Sequence, residues 1–145
     1  MTLPEIMAFA GRNPVLSLAL AGLTLALILN EVSSLFRGYK ALRPAELTGL
    51  INRDNALVVD LRPFADFDKG HIAGAKNVLM TQFDPENAQL KTAKSLPVVL
   101  VCKTGQSAGA AAKRLNKAGF EKVYVLDGGI TAWQQADLPL VKGRG

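Results

Sequence analysis

Apolar residues along this chain follow two different patterns. Eighteen residues, Asn13 to Asn30, pass without a charge, and Val15 to Leu29 is almost wholly apolar on every side. As a helix at 1.5 Å per residue this stretch spans about 27 Å, close to the thickness of a bilayer core. A cleaved secretory signal would also be short and preceded by a basic residue such as Arg12. Leu27 to Ser34, however, offers no small-x-small cleavage site. Residues 1–30 are therefore read as an N-terminal membrane anchor whose single transmembrane helix covers about 13–30, and residues 31–40 as a polar linker.

From residue 41 to 145 the pattern changes to short apolar runs separated by turn residues, the mark of a folded domain. Pro44 opens a helix whose Leu47, Leu50 and Ile51 share one face. Strands are expected at Ala56–Asp60, Ala75–Leu79, Pro97–Val101 and Lys122–Leu126, and helical segments at Phe64–Lys69, Glu86–Lys94, Ser107–Ala118 and Ile130–Ala136. Strands that are apolar almost throughout and alternate with helices indicate an α/β domain, with a mostly parallel sheet covered on both faces. In such sheets functional groups gather beyond the carboxyl ends of the strands. Asp60, Cys102 and Asp127 each stand at such an end.

Charge sharpens the picture at the anchor and dulls it elsewhere. Arg37, Lys40 and Arg43 follow the apolar helix, whereas Arg12 alone precedes it, partly balanced by Glu5, so the domain is expected on the cytoplasmic side. The net charge of +5 shrinks to +3 from Pro44 onward, where thirteen Lys and Arg meet ten Asp and Glu. Those charges are scattered, without a basic run or interleaved aromatics, which argues against nucleic acid. One cysteine and one histidine cannot assemble a zinc site or an internal disulfide, so no metal and no cofactor is expected.

The chemistry that remains is the cysteine itself. Cys102 ends the most apolar strand and opens the loop Lys103-Thr104-Gly105-Gln106-Ser107, which runs into an alanine-rich helix. A loop that curls through Gly105 into a helix start converges several backbone N–H groups on one point. Such a cradle suits a thiolate, a persulfide or the oxyanion of a sulfur compound, and Lys103 adds positive charge at its rim. A lone cysteine can equally be a small buried apolar residue.

Three stretches in order decide between these readings. They are Val58-Val59-Asp60-Leu61-Arg62 running on to Phe67-Asp68-Lys69-Gly70-His71-Ile72-Ala73-Gly74-Ala75-Lys76-Asn77, then the Cys102–Ser107 loop, then Leu126-Asp127-Gly128-Gly129 with Trp133. Together they resemble the rhodanese family over about residues 40 to 140, and the whole chain looks like its small membrane-anchored, single-domain members in Gram-negative bacteria. The resemblance implies a rhodanese-like domain with a five-stranded parallel sheet flanked by helices. It implies a sulfurtransferase in which Cys102 takes sulfane sulfur from a donor such as thiosulfate or a persulfide and passes it to a thiol acceptor. Lys103, Thr104, Gly105, Gln106 and Ser107 would hold the substrate, with the Ser107 side chain bonded inside the loop.

Asp60, Arg62 and His71 are the supporting residues. Asp60 is expected to cap nearby backbone and Arg62 to pair with a carboxylate such as Asp66. His71 is expected to hold the loop after its strand, the competing role being general base to Cys102. Many rhodaneses carry arginine where this chain has Ser107, which leaves the preferred donor open. The related dual-specificity phosphatases need arginine six residues after the cysteine; Ala108 stands there, which disfavours phosphoryl transfer. The implied location is the bacterial inner membrane, single-pass, with the C-terminal domain cytoplasmic. Two further readings use the same residues: a weak or inactive domain serving as a tethered adaptor for a membrane-protein partner, and a thiol redox sensor, which would lack a resolving cysteine in the chain.

Overall fold

A computed structural model describes residues 1–143 and divides the chain into two compact units, Met1–Arg37 and Gly38–Gly145. In the first, α1 (Leu3–Arg12) starts beside Thr2, whose backbone N–H donates to Glu5 Oε2 at 2.6 Å. That hydrogen bond holds the Glu5 carboxyl below the usual carboxylate range. Pro14, which needs no N–H donor partner in a first turn, opens α2 (Pro14–Leu35). Within it Pro14–Ser33 is long and apolar enough to cross a membrane, and none of it is buried within the chain. The helix outruns the expected linker boundary at residue 30 because nothing from Glu31 to Leu35 breaks it; Gly38, with φ +75°, lies beyond its end.

The second unit is a five-stranded parallel sheet flanked by helices. Its elements are β1 (Lys40–Leu42), α3 (Pro44–Asp54), β2 (Leu57–Asp60), α4 (Phe64–Lys69), β3 (Lys76–Asn77), a 3-10 turn at Met80–Gln82, α5 (Ala88–Lys91), β4 (Val98–Val101), α6 (Gln106–Lys117), β5 (Val123–Leu126) and α7 (Gly129–Gln135). The strand order is β1-β5-β4-β2-β3, every pairing parallel. β1 escaped the sequence pattern, since Lys40-Ala41-Leu42 is short and opens on a charge. It is held as an edge strand by its register on Tyr124–Leu126, with Asp127 N–H donating to Leu42 O at 2.8 Å.

Alternation of side chains along the strands splits the core into two layers. Val59, Val98, Leu100, Val123 and Val125 face α6, while Val58, Val99, Val101 and Leu126 face α3, α4 and α7 through Leu47, Phe67, Ile130 and Trp133. All four residues of β4 are fully buried, each contributing about 2 kcal/mol of apolar burial. Ala108, Ala111 and Ala112 are fully buried as well, so α6 lies close on β4 and β5.

Two expected elements are shorter than their apolar patterns. β3 keeps only Lys76 and Asn77, because the chain leaves the sheet edge for the 3-10 turn at Met80. The helix expected at Glu86–Lys94 is a single turn, Ala88–Lys91, and its surroundings are turns that still bury Leu90 and Ala93.

Candidate active site

β4 delivers Cys102 to the carboxyl edge of the sheet with only 6% of its surface exposed. The Gly105 N–H donates to Cys102 Sγ at 2.9 Å, closing the loop back on the sulfur. That return requires the glycine, whose φ is +96°, a region L side chains avoid. Gly105 also packs against Gly128 N and Leu126 O, each 3.4 Å from where a Cβ would stand.

The other side of the loop is clamped by the first turn of α7. Ile130 N–H donates to Cys102 O at 2.9 Å, Thr131 N–H to Lys103 O at 3.2 Å, and Thr131 Oγ1 to the same oxygen at 3.0 Å. In a trans peptide the N–H points opposite to its carbonyl. With the carbonyls of Cys102 and Lys103 drawn to α7, the N–H groups of Lys103 and Thr104 point away from it. Gly129 permits this approach: φ is +61°, and a Cβ would fall 2.6 Å from Lys103 O and nearer still to Cys102 O. By composition alone Asp127-Gly128-Gly129 is a turn, with both glycines at positive φ. Its second glycine is the seat of the cysteine loop.

Cys102 opens onto a recess of about 310 Å³ whose walls include Leu61, Arg62, Met80, Lys103 and Ser107. A second recess of about 240 Å³ adjoins it, and Arg62 and Lys103 line both. Ser107 is exposed, and its hydroxyl makes no hydrogen bond among the described residues, contrary to the expected bond within the loop. The reason is geometric: Gly105 already closes the loop on sulfur, which leaves Ser107 in the first turn of α6, on the recess wall. Thr104 and Gln106 are exposed and line neither recess, so only their backbone groups are near this chemistry.

Arg62 pairs with Asp60, not with Asp66. Nε donates to both carboxylate oxygens at 3.0 and 3.1 Å and Nη2 to Oδ2 at 2.8 Å, while Nη2 also reaches Gly70 O at 2.7 Å. Asp60 is 1% exposed and also takes the Arg62 backbone N–H at 3.0 Å, as a carboxylate two residues upstream can. A charge so deeply buried demands the nearest fork of donors, and the exposed Asp66 makes no such demand. Asn77 Nδ2 ties the same turn by donating to Asp60 O at 3.1 Å and Arg62 O at 2.9 Å. Its position in the quoted motif was the available signal, and its role was not read from it.

His71 is fully buried. Its Nδ1–H donates to Phe67 O at 2.8 Å, and its ring stacks on Phe67 with centroids 3.7 Å apart. Among the described residues Nε2 is buried without a partner, and the ring lines neither recess. This geometry gives the general-base role no support, because Nε2, the nitrogen left to accept a proton, is buried and His71 does not line the recess at Cys102. Backbone bonds with Val141 in both directions, at 2.9 and 2.8 Å, add to its structural place.

Comparison with known proteins decides the lineage. Residues 43–136 match the model of the rhodanese-like domain. The chain belongs to the rhodanese family. Among relatives of this rhodanese, the uncharacterized protein YibN of Escherichia coli K12 is 42% identical over 141 residues, covering 97% of this chain and 99% of its own. The thiosulfate sulfurtransferase GlpE of Pseudoalteromonas translucida is 30% identical over 98 residues, 68% of this chain and 91% of that one. A crystal structure of a thiosulfate sulfurtransferase from Pseudomonas aeruginosa superposes with a TM-score of 0.66 at 30% identity. It covers 74% of this chain but only 20% of that larger one.

Proposed function

We propose that this rhodanese carries sulfur as a persulfide on Cys102, moving it from an anionic sulfane donor such as thiosulfate to a thiol. The reading is carried by one contact, the Gly105 N–H on Sγ at 2.9 Å, which is a donor placed for a sulfur that bears negative charge. The clamping of the Cys102 and Lys103 carbonyls by α7 supports it, since their partner N–H groups stay uncommitted to that helix.

The chemistry is a double displacement. The Cys102 thiolate attacks the outer sulfur of thiosulfate, the sulfur–sulfur bond of the donor breaks, and sulfite leaves with the bonding pair. The acceptor thiolate then attacks the sulfur now on Cys102, and the cysteine departs as thiolate. The relationship to thiosulfate sulfurtransferases at 30% identity agrees with this donor class. Lys103 at the rim attracts the donor's oxygens in the absence of a loop arginine.

In this reading the apolar stretch Pro14–Ser33 of α2 tethers the enzyme to a bacterial inner membrane by a single pass, and the unit that begins at Gly38 works on the cytoplasmic side. The test of the chemistry is intact-mass measurement after thiosulfate treatment. One added sulfur is expected on the native chain and none on Cys102→Ser, which should also lose cyanide-dependent thiocyanate formation. An unmodified native chain, or activity surviving in Cys102→Ser, removes the mechanism.

A further inference from the structure

The second recess, which shares Arg62 and Lys103 with the Cys102 recess but is not lined by Cys102, has no part in the donor chemistry above. Its walls include Arg62, Asp66, Lys69, Lys103, Thr131 and Gln134, a polar set with three cations against one carboxylate. Arg62 is the telling member. Its side chain is 10% exposed, and Asp60 neutralises its charge through the Nε and Nη2 edge. Nη1 takes no hydrogen bond among the described residues. The one buried side-chain nitrogen or oxygen lacking a partner there is His71 Nε2, so Nη1 is not fully buried. Gly70, whose carbonyl receives Nη2, lines this recess and not the other, while Arg62 lines both.

We propose that this recess is the acceptor subsite and that it takes the carboxylate of a small thiol. The inference rests on the persulfide reading of Cys102 and extends it to the second half-reaction. The Nη1 group of a guanidinium held rigid by Asp60 and Gly70 has two N–H donors left for a carboxylate, while Lys69 and Lys103 supply the uncompensated positive charge. Asp66 opposes them in part. Because Arg62 and Lys103 border both recesses, a thiol anchored by its carboxylate lies beside the recess onto which Cys102 opens. Its sulfur attacks the outer sulfur on Cys102, a new sulfur–sulfur bond forms, the bond to Sγ breaks, and the proton of the spent thiol passes to solvent. An uncharged thiol gains nothing from this anchor.

The full chain in detergent is loaded with thiosulfate, loading is verified by mass, and discharge is timed with 3-mercaptopropionate and with 2-mercaptoethanol. Lys69, exposed at the end of α4, is changed by Lys69→Glu. The ratio of the two discharge rates should fall roughly fivefold, the scale of a solvent-exposed ion pair replaced by repulsion. Asp66→Asn should move the ratio the other way. A ratio unchanged in both variants overturns the subsite. If the native chain never loads, the persulfide reading fails by itself, and calorimetric binding of 3-mercaptopropionate to the unloaded chain still tests the recess. Saturable binding weakened by Lys69→Glu supports it; no saturable binding ends it.

Discussion

Replacing Gly129 by alanine perturbs the cysteine loop without touching any of its side chains. At φ +61° an alanine carries about 1 to 2 kcal/mol of left-handed strain. Its Cβ would also stand 2.6 Å from Lys103 O, and the backbone on both sides is too constrained to absorb this without separation. Separation stretches the Ile130–Cys102 and Thr131–Lys103 hydrogen bonds, now 2.9 and 3.2 Å, at about 1 kcal/mol each. The expected loss is thus about 3 to 4 kcal/mol. Gly119→Ala is the internal control, since its φ is +96° and nothing lies within 4 Å of its Cβ, leaving only the strain. The two variants should differ by about 2 kcal/mol, the worth of the two bonds. Urea unfolding in mild detergent reads this through Trp133, the single tryptophan, which is buried on α7 beside the perturbation. Loading by thiosulfate should slow in Gly129→Ala and stay normal in Gly119→Ala. Equal destabilisation of the two, within about 0.5 kcal/mol, would refute the clamp.

Asp60→Asn leaves Arg62, whose side chain is nine-tenths buried, without its counter-charge and should cost about 3 kcal/mol by urea unfolding. Adding Arg62→Met should recover much of that, and a single-variant cost below about 1 kcal/mol would contradict the pairing. His71→Phe keeps the stack on Phe67 and loses one hydrogen bond, so stability should change by about 1 kcal/mol. Loading should proceed at the native rate; a tenfold slower rate would restore His71 to the mechanism. A fluorescent reporter fused to the C-terminus should mature in the cytoplasm, whereas an active periplasmic phosphatase at that position would reverse the orientation.

Much of this protein was legible in the chain because it is written locally. The uncharged run from Asn13 to Asn30 needs only a count, and the apolar strands β2, β4 and β5 announce themselves by composition. Cys102 was recognisable from its place between a strand and a glycine-bearing helix start, since both neighbours act over a few residues. The three separated motifs, taken in order, resembled one family, and the match over residues 43–136 agrees.

What the sequence could not disclose is everything decided by partners distant along the chain. Lys40–Leu42 is a strand only because β5 supplies its register, more than eighty residues on. Arg62 had several carboxylates within reach by spacing, and burial of Asp60 chose among them. Gly129 reads as a turn residue until the Cys102 and Lys103 carbonyls are packed against it. Local propensity falls off within a helical turn or two, whereas the sulfur cradle is made where three strand ends meet, and only folding brings those ends together.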